Sequence, residues 1–375
     1  MEKKVKLAVI GGFLGSGKTT TILSLARLLI ARGAKIGIVT NDQGSDLVDT
    51  AFLRSSGLPV LEVSGGCFCC SFEEFTRKVN ALAMSEMPDI ILAEPVGSCT
   101  DLVATIFRPF QLRHAESFSL APLTVVVDPL RGLKSMNDTS RFPSEINYLF
   151  KKQLEEADVI LINKTDKYPA EDIERLRAHL TAQYSAVVHC ASARDEQTLL
   201  PLLPVLGDAA KPGELMTLDY ETYGLAESFL GWFNGTCMLS GGDDVRAFIA
   251  DFFEDVRRFV RAEGSDIAHL KAHLITSGGH LKASLTSVED DIEHDEQNFT
   301  YTGSASMVIN ARVSMAPEKL EPAIEHAVFS AAKAHGITCG EYRSDCFKPG
   351  MPDPSARLRG TDEPPQCCNC RSADK

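Results

Sequence analysis

The sequence predicts an α/β chain, with a doubly wound, mostly parallel sheet followed by a smaller α+β domain. From residue 5 to about 200, short apolar runs alternate with helical periodicities. The first run passes directly into a glycine loop and then a helix, and beyond residue 213 the order of elements becomes that of strands folding back on one another.

The first strand is Val5-Lys6-Leu7-Ala8-Val9-Ile10. Later runs at Ile36 to Thr40, Val60 to Val63, Ile90 to Ala93, Thr124 to Val127, Val159 to Ile162 and Ala186 to His189 are equally short. They are β-branched and do not alternate with polar residues, as expected of strands buried on both faces. Between the first two, Ile22, Leu23, Leu25, Ala26, Leu29 and Ile30 recur at helical spacing. Lys211-Pro212-Gly213 is the strongest breaker, so the first domain is expected over residues 1–212 and the second over 213–346.

The second domain opens with a strand near Ser228 to Leu239. A helix follows with Val245, Phe248, Ile249, Phe252, Phe253, Val256, Phe259 and Val260 on one face. Ala268 to Thr276 and Leu281 to Thr286 flank Ser277-Gly278-Gly279 and predict a hairpin. After the acidic run Glu289 to Glu296 come a strand, Ala305 to Val313, and a helix, Pro317 to His335. The order β-α-β-β-loop-β-α predicts a small antiparallel sheet with helices on one face. Residues 347–375 are proline-rich and poor in large apolar groups, and are expected to form a mobile tail carrying Cys367, Cys368 and Cys370.

With 375 residues, 44% hydrophobic and 24% charged, the composition is that of a soluble globular chain. No apolar run approaches the ~18 residues of a membrane span. The formal charge of −13 disfavours nucleic acid or an anionic membrane as partner. Lys3, Lys4 and Lys6 precede a run that Gly11 and Gly12 end too early for a signal peptide, so a cytoplasmic chain is expected. The eleven cysteines are then mostly reduced, and clustered ones are read as ligands or redox groups.

Gly12-Phe13-Leu14-Gly15-Ser16-Gly17-Lys18-Thr19 fits the phosphate-binding pattern G-x-x-x-x-G-K-[ST] without mismatch. Gly12, Gly15, Ser16 and Gly17 turn backbone N–H groups around the phosphates, Lys18 pairs with their oxygens, the Thr19 hydroxyl ligates Mg²⁺, and Thr20 follows in the opening helical turn. Asn163-Lys164-Thr165-Asp166 ends a buried run, where the Asp166 carboxylate can accept from the guanine N1–H and 2-amino groups. An acceptor left unpaired there costs ~1–3 kcal/mol, which favours GTP over ATP. The alternative is that Asp166 caps a helix. Glu94-Pro95-Val96-Gly97 supplies a further pair: Glu94 to hold Mg²⁺ through water and Gly97 to sense the terminal phosphate.

Ser64-Gly65-Gly66-Cys67-Phe68-Cys69-Cys70-Ser71 places three thiols at a helix entrance, with Ser71 and Glu74 spaced as a capping box. Cys67, Cys69 and Cys70 are soft ligands suited to Zn²⁺ or Co²⁺, and three thiolates leave a tetrahedral position open. Read blandly, they are small buried hydrophobes, for which Cys-x-Cys-Cys among glycines is a poor core segment.

Together these motifs resemble the CobW-type branch of the P-loop GTPases, the metal-centre assembly proteins that include the cobalamin synthesis protein. The resemblance implies a P-loop NTPase fold with a β-α-β-β-α-β C-terminal domain. It implies hydrolysis of GTP to GDP and phosphate, coupled to delivery of zinc or cobalt to a client metalloprotein or corrinoid protein. A GTP-gated adaptor with little turnover is the alternative, and a homodimer is compatible with either. The first switch loop corresponds to Asn41-Asp42-Gln43-Gly44 with Asp49 beyond, and Asp42 or Asp49 would orient the attacking water. Thr40 and Ser45 stand where acidic residues often flank that loop. The acidic run Glu289 to Glu296 is expected to be a solvated hairpin loop, with a weak hard-cation site as alternative. His114, His269, His273 and His280 are expected singly at the surface or in the core.

Overall fold

The computed structural model describes residues 4–41, 53, 57–63, 66–210 and 215–358. Strands β1 (Val5–Gly11), β2 (Ile36–Asn41), β3 (Val60–Val63), β4 (Ile90–Glu94), β5 (Phe118–Leu120), β6 (Thr124–Val127), β7 (Val159–Ile162) and β8 (Val187–Cys190) form one parallel sheet. Its order is β3-β2-β4-β1-β6-β7-β8, with β5 also beside β1. Between these strands come helices α1 (Lys18–Ile30), α2 (Phe72–Glu86), α3 (Arg108–His114), α4 (Pro129–Met136), α5 (Ser144–Glu155) and α6 (Ala170–Gln183), and α7 (Leu202–Gly207) follows β8.

Successive residues of a strand enter different cores, which is why the strands carry no polar alternation. Leu7 and Val9 join Phe72, Phe75 and Leu149 on the side of α2 and α5. Ala8 and Ile10 join Ile22, Leu25 and Leu202 on the side of α1 and α7. The chain starts in the middle of the sheet, with β4 and β6 on either side of β1, so a crevice opens at the carboxyl ends of these strands, where ligands of such sheets bind.

The second unit contains α8 (Tyr220–Ser228), β9 (Gly231–Gly241), α9 (Val245–Ala262), β10 (Ile267–Ile275), β11 (His280–Leu285), β12 (Glu293–Gln297), β13 (Ser304–Val313), α10 (Pro317–Ala334) and β14 (Ile337–Phe347). Its sheet is antiparallel in the order β12-β11-β10-β13-β9-β14. Phe248, Phe252 and Val256 of α9 and Ile324 and Val328 of α10 pack with Leu270, Ile309 and Leu239 of the strands in one core. The sequence reading missed β12 and β14. Both are edge strands: β12 is polar and held by backbone pairing, while β14 buries Ile337 and half-buries Cys339, Tyr342 and Cys346 among polar residues in no regular alternation.

Two expected boundaries move. Leu218, Tyr223 and Ala226, in and before α8, belong to the core of the first domain, so packing divides the units near Gly231 rather than at residue 212. Part of the expected mobile tail is docked: Ser355 N donates to Cys69 O at 3.1 Å, Leu358 N donates to Ala104 O at 3.1 Å, and Ala356 is buried. Cys367, Cys368 and Cys370 lie outside the described residues. Among the described residues, no helix is long and apolar enough to cross a membrane.

Candidate functional site

The loop from Gly12 to Thr19 joins β1 to α1 at the carboxyl end of the sheet. Gly15 and Gly17 have φ of +78° and +94°, and a Cβ on Gly17 would stand 2.3 Å from Asn163 Nδ2. No side chain caps α1, which leaves its first N–H groups directed at the crevice. Ser16 is buried and its Oγ has no protein partner. An open helix N-terminus, an orphaned hydroxyl and a Cβ-free cradle together fit a bound phosphate chain.

Lys18 is buried, with Nζ 3.4 Å from Phe13 O and 4.0 Å from Glu94 Oε1. The Thr19 hydroxyl donates to Glu94 Oε1 at 3.0 Å. The two groups expected to share a cation are thus adjacent, with Glu94 at the end of β4. Gly97 backs onto Leu14 of the phosphate loop, and its carbonyl accepts from Gln153 Nε2 at 3.0 Å. Thr20 lines the crevice. Asp42, Ser45 and Asp49 lie outside the described residues.

Asn163 ties the phosphate loop to the segment after β8. Its Nδ2 donates to Ser16 O at 2.9 Å and its Oδ1 accepts from Ala193 N at 2.8 Å. Asp166 is exposed at the rim of a cavity lined also by Gly17, Thr20, Lys167 and Ser192. It does not cap a helix, because α6 begins at Ala170 with Pro169 before it, so the capping alternative is overturned. Lys164 Nζ lies 2.9 Å from Asp128 Oδ2. Burial works against both charges, but the pairing outweighs it: the Lys164 pKa is raised, and that of Asp128 is lowered.

The second domain closes one side of the crevice, an arrangement absent from the sequence reading. A Cβ on Gly15 would meet Thr286 Cγ2 at 2.7 Å and Ala268 O at 2.8 Å. Arg131 stacks on the Phe13 and Phe142 rings and donates to Thr286 O at 3.2 Å. The acidic run is not a solvated loop. Glu293 accepts ion pairs from Lys167 at 2.9 Å, Arg194 at 3.0 Å and Lys164 at 3.5 Å, and Asp290 pairs with Lys167. Burial would raise the Glu293 pKa, yet these cations hold it below the usual value. His269, His273 and His280 are buried on the same second-domain strands.

A second centre lies at the entrance to α2. Cys67, Cys69 and Cys99 are buried, with sulfurs all within 4.8 Å of one another, and the Cys67 and Cys69 sulfurs are 2.7 Å apart. Half-buried Cys70 has its Sγ 3.9 Å from that of Cys69. Hydrogen bonds from the Cys69, Cys70 and Cys99 thiols hold Cys67 toward the thiolate despite burial. Correspondingly, Cys69 and Cys99 are pushed up and Cys70 rises to about 11. One thiolate stabilised by neighbouring thiols is a ready soft-metal ligand set.

Cys99 and Asn41 were not foreseen as parts of this centre. Cys99 follows Gly97 in a segment without ligand spacing of its own. Asn41 ends β2, and its Nδ2 donates to Val63 O and Gly66 O at 2.9 and 2.7 Å while its Oδ1 accepts from Phe68 N at 2.8 Å. Nearby, Ser98 Oγ donates to buried Glu227 at 2.6 Å. Burial raises the Glu227 pKa to about 8, opposed by that bond and assisted by Cys67. The expected capping box is absent: the Ser71 side chain makes no capping bond, and Glu74 pairs with Arg77 and Lys78.

Residues 6–188 match the family described as CobW/HypB/UreG, nucleotide-binding domain. Among curated proteins, "Zinc chaperone CobW" of Sinorhizobium sp is 29% identical over 229 residues, covering 55% of this chain and 64% of that protein. "Zinc chaperone YeiR" of Escherichia coli (strain K12) is 32% identical over 176 residues, 45% of this chain and 49% of that protein. "Zinc-regulated GTPase metalloprotein activator 1" of Dictyostelium discoideum is 25% identical over 237 residues, 54% and 48% of the two chains. The matched region thus spans between 48% and 64% of the length of these relatives.

Proposed function

We propose that this chain, whose residues 6–188 match the CobW/HypB/UreG nucleotide-binding domain, hydrolyses GTP and couples this to handing zinc to a client metalloprotein in the cytoplasm. The observation that carries the reading is the placement of the thiols between two nucleotide-facing segments. Asn41, the first residue of the expected first switch loop, holds the backbone of the cysteine loop. Cys99, in the segment that follows Glu94, joins Cys67 and Cys69.

Lys18 and the open N-terminus of α1 would bind the phosphates, and Asp166 would read the guanine edge. Thr19 and Glu94 would hold Mg²⁺, whose contribution when bound is neutralisation of charge on the β- and γ-oxygens. Asp42 or Asp49 would orient the attacking water. A nucleotide that separates Thr19 from Glu94 shifts the end of β4, and with it the segment bearing Cys99. That displacement changes the sulfur set offered to the metal.

Zinc is favoured over cobalt because the donor set is all sulfur and similar proteins are named as zinc chaperones. The test is a zinc titration of the reduced full chain against a competing chelator, with GDP and with a non-hydrolysable GTP analogue. A difference of about tenfold, ~1.4 kcal/mol, is expected between the two states. Equal zinc affinity in both would remove the coupling, and zinc coupling without GTP turnover would leave the adaptor reading.

A further inference from the structure

The strands β10 and β11 have two unlike faces. Leu270, Ala272, Leu281 and Ala283 lie in the apolar core under the helices. On the opposite face, Lys271 stands across from Ser284, and Lys282 and Thr286 continue that face along the chain by the alternation of a strand. This polar face is turned toward the phosphate loop, where Thr286 and Ala268 O press on Gly15. Lys282 is only 8% exposed. The space before this face is lined by polar groups of both domains.

The space is the crevice itself, which Lys271 and Lys282 line together with Gly17, Lys18, Thr19 and Glu94. Its charged lining comprises five cations, Lys18, Lys164, Arg194, Lys271 and Lys282, against three carboxylates, Glu94, Glu293 and Asp295. Asp295 stands opposite Lys282 in the β11–β12 register. Asp128, paired with Lys164 at 2.9 Å, reduces the excess to one, and a magnesium-bound nucleoside triphosphate brings negative charge to this net positive lining.

The geometry points to a phosphate site built from both domains, in which Lys271 and Lys282 of the second domain receive terminal phosphate oxygens of the bound nucleoside triphosphate. This rests on GTP as the ligand of the crevice, and does not depend on the metal reading. Each lysine is a point charge on a flexible stem, suited to a phosphate oxygen rather than to a base. Loss of the γ-phosphate leaves the two lysines facing Lys18 without a shared anion. The second domain is therefore the part of the chain that feels whether the third phosphate is present.

The test uses the reduced, zinc-free full chain with Mg²⁺, and titrates GDP and a non-hydrolysable GTP analogue against wild type, Lys271→Ala and Lys282→Gln. Analogue affinity is expected to fall about tenfold or more in each variant, and GDP affinity by less than about threefold. An undiminished preference for the analogue over GDP in Lys271→Ala overturns the inference. A wild-type measurement removes any dependence on variant folding. Acetylation of Lys271, read by mass spectrometry, should slow at least about fivefold with the analogue and not with GDP, and equal labelling with the two nucleotides overturns the inference. Absence of nucleotide binding by the wild type would defeat the GTP reading itself. Binding that neither lysine affects would defeat this inference alone.

Discussion

The hydroxyl of Thr19 donates to Oε1 of Glu94 at 3.0 Å, joining the first turn of α1 to the end of β4. Both groups are buried, and Lys18 Nζ stands 4.0 Å from the same carboxylate oxygen. Glu94→Gln keeps the shape and removes the charge, so the Mg²⁺ concentration for half-maximal turnover should rise and kcat should fall about 10²-fold. Turnover measured across a Mg²⁺ titration checks this. An unchanged Mg²⁺ requirement would place the cation elsewhere.

Asp166 sits at the mouth of a cavity beside the phosphate loop, where the proposed function places the guanine base. Asp166→Asn replaces two acceptors by an acceptor and a donor, so GTP affinity should fall roughly 10- to 100-fold. Xanthosine triphosphate, which presents a carbonyl where guanine has its amino group, should bind the variant better than the wild type. Competition titrations with GTP, ATP and xanthosine triphosphate decide it.

Cys99→Ala should weaken zinc binding more than Cys70→Ala, because Cys99 is buried against Cys67 and Cys69 while Cys70 is half-buried at the edge. Asn41→Ala removes three hydrogen bonds that hold the cysteine loop, and should lower zinc affinity about 10-fold without touching a sulfur. Chelator competition gives the affinities. Equal values for wild type and Asn41→Ala would show that the loop holds its shape alone.

Glu293 receives Lys167, Arg194 and Lys164 across the domain boundary. Glu293→Gln leaves those cations underpaired and should cost about 1–3 kcal/mol in urea unfolding. The pKa of Glu293 is lowered in the folded state, so the advantage of the wild type is present above the ordinary glutamate pKa and disappears as pH falls through the lowered one. A difference between the two proteins that persists unchanged in acid would show the effect to be shape and not charge.

Glu156 gives the opposite dependence. It is half-buried, accepts from Thr100 Oγ1 at 3.0 Å and Val103 N at 3.2 Å, and desolvation of its carboxyl raises its pKa from 4.5 to about 8. Between those values the folded chain retains a proton that the unfolded chain releases, so stability falls as pH rises. Wild type should lose a few kcal/mol relative to Glu156→Gln between about pH 5 and 8, at ~1.4 kcal/mol for each tenfold fall in proton concentration. Unfolding midpoints for both proteins at the two pH values measure it.

What could be read in advance was local. The phosphate loop works through contiguous backbone, and its pattern is complete between Gly12 and Thr19. The buried strands announced themselves because each supplies two cores at once, as Leu7 and Ala8 do. Strand β12 carries no such mark, since it is held by its neighbour's backbone and not by apolar side chains, and in β14 the alternation is broken by a register shift between Gly340 and Arg343. For the same reason Glu289 to Glu296 looked like a solvated loop until Lys164, Lys167 and Arg194 appeared opposite it.

The sequence by itself determined the phosphate-loop pattern, the Asn-Lys-x-Asp run and the grouping of the thiols, because each is made of residues adjacent in the chain. Only the tertiary structure decided that Cys99 joins the sulfur cluster, that Asn41 holds the loop bearing it, and that Lys271 and Lys282 line the crevice beside the phosphate loop. Those residues meet their partners by the crossing of distant segments. Side-chain chemistry has a reach of a few ångströms, so only the folded path of the chain can bring them within it.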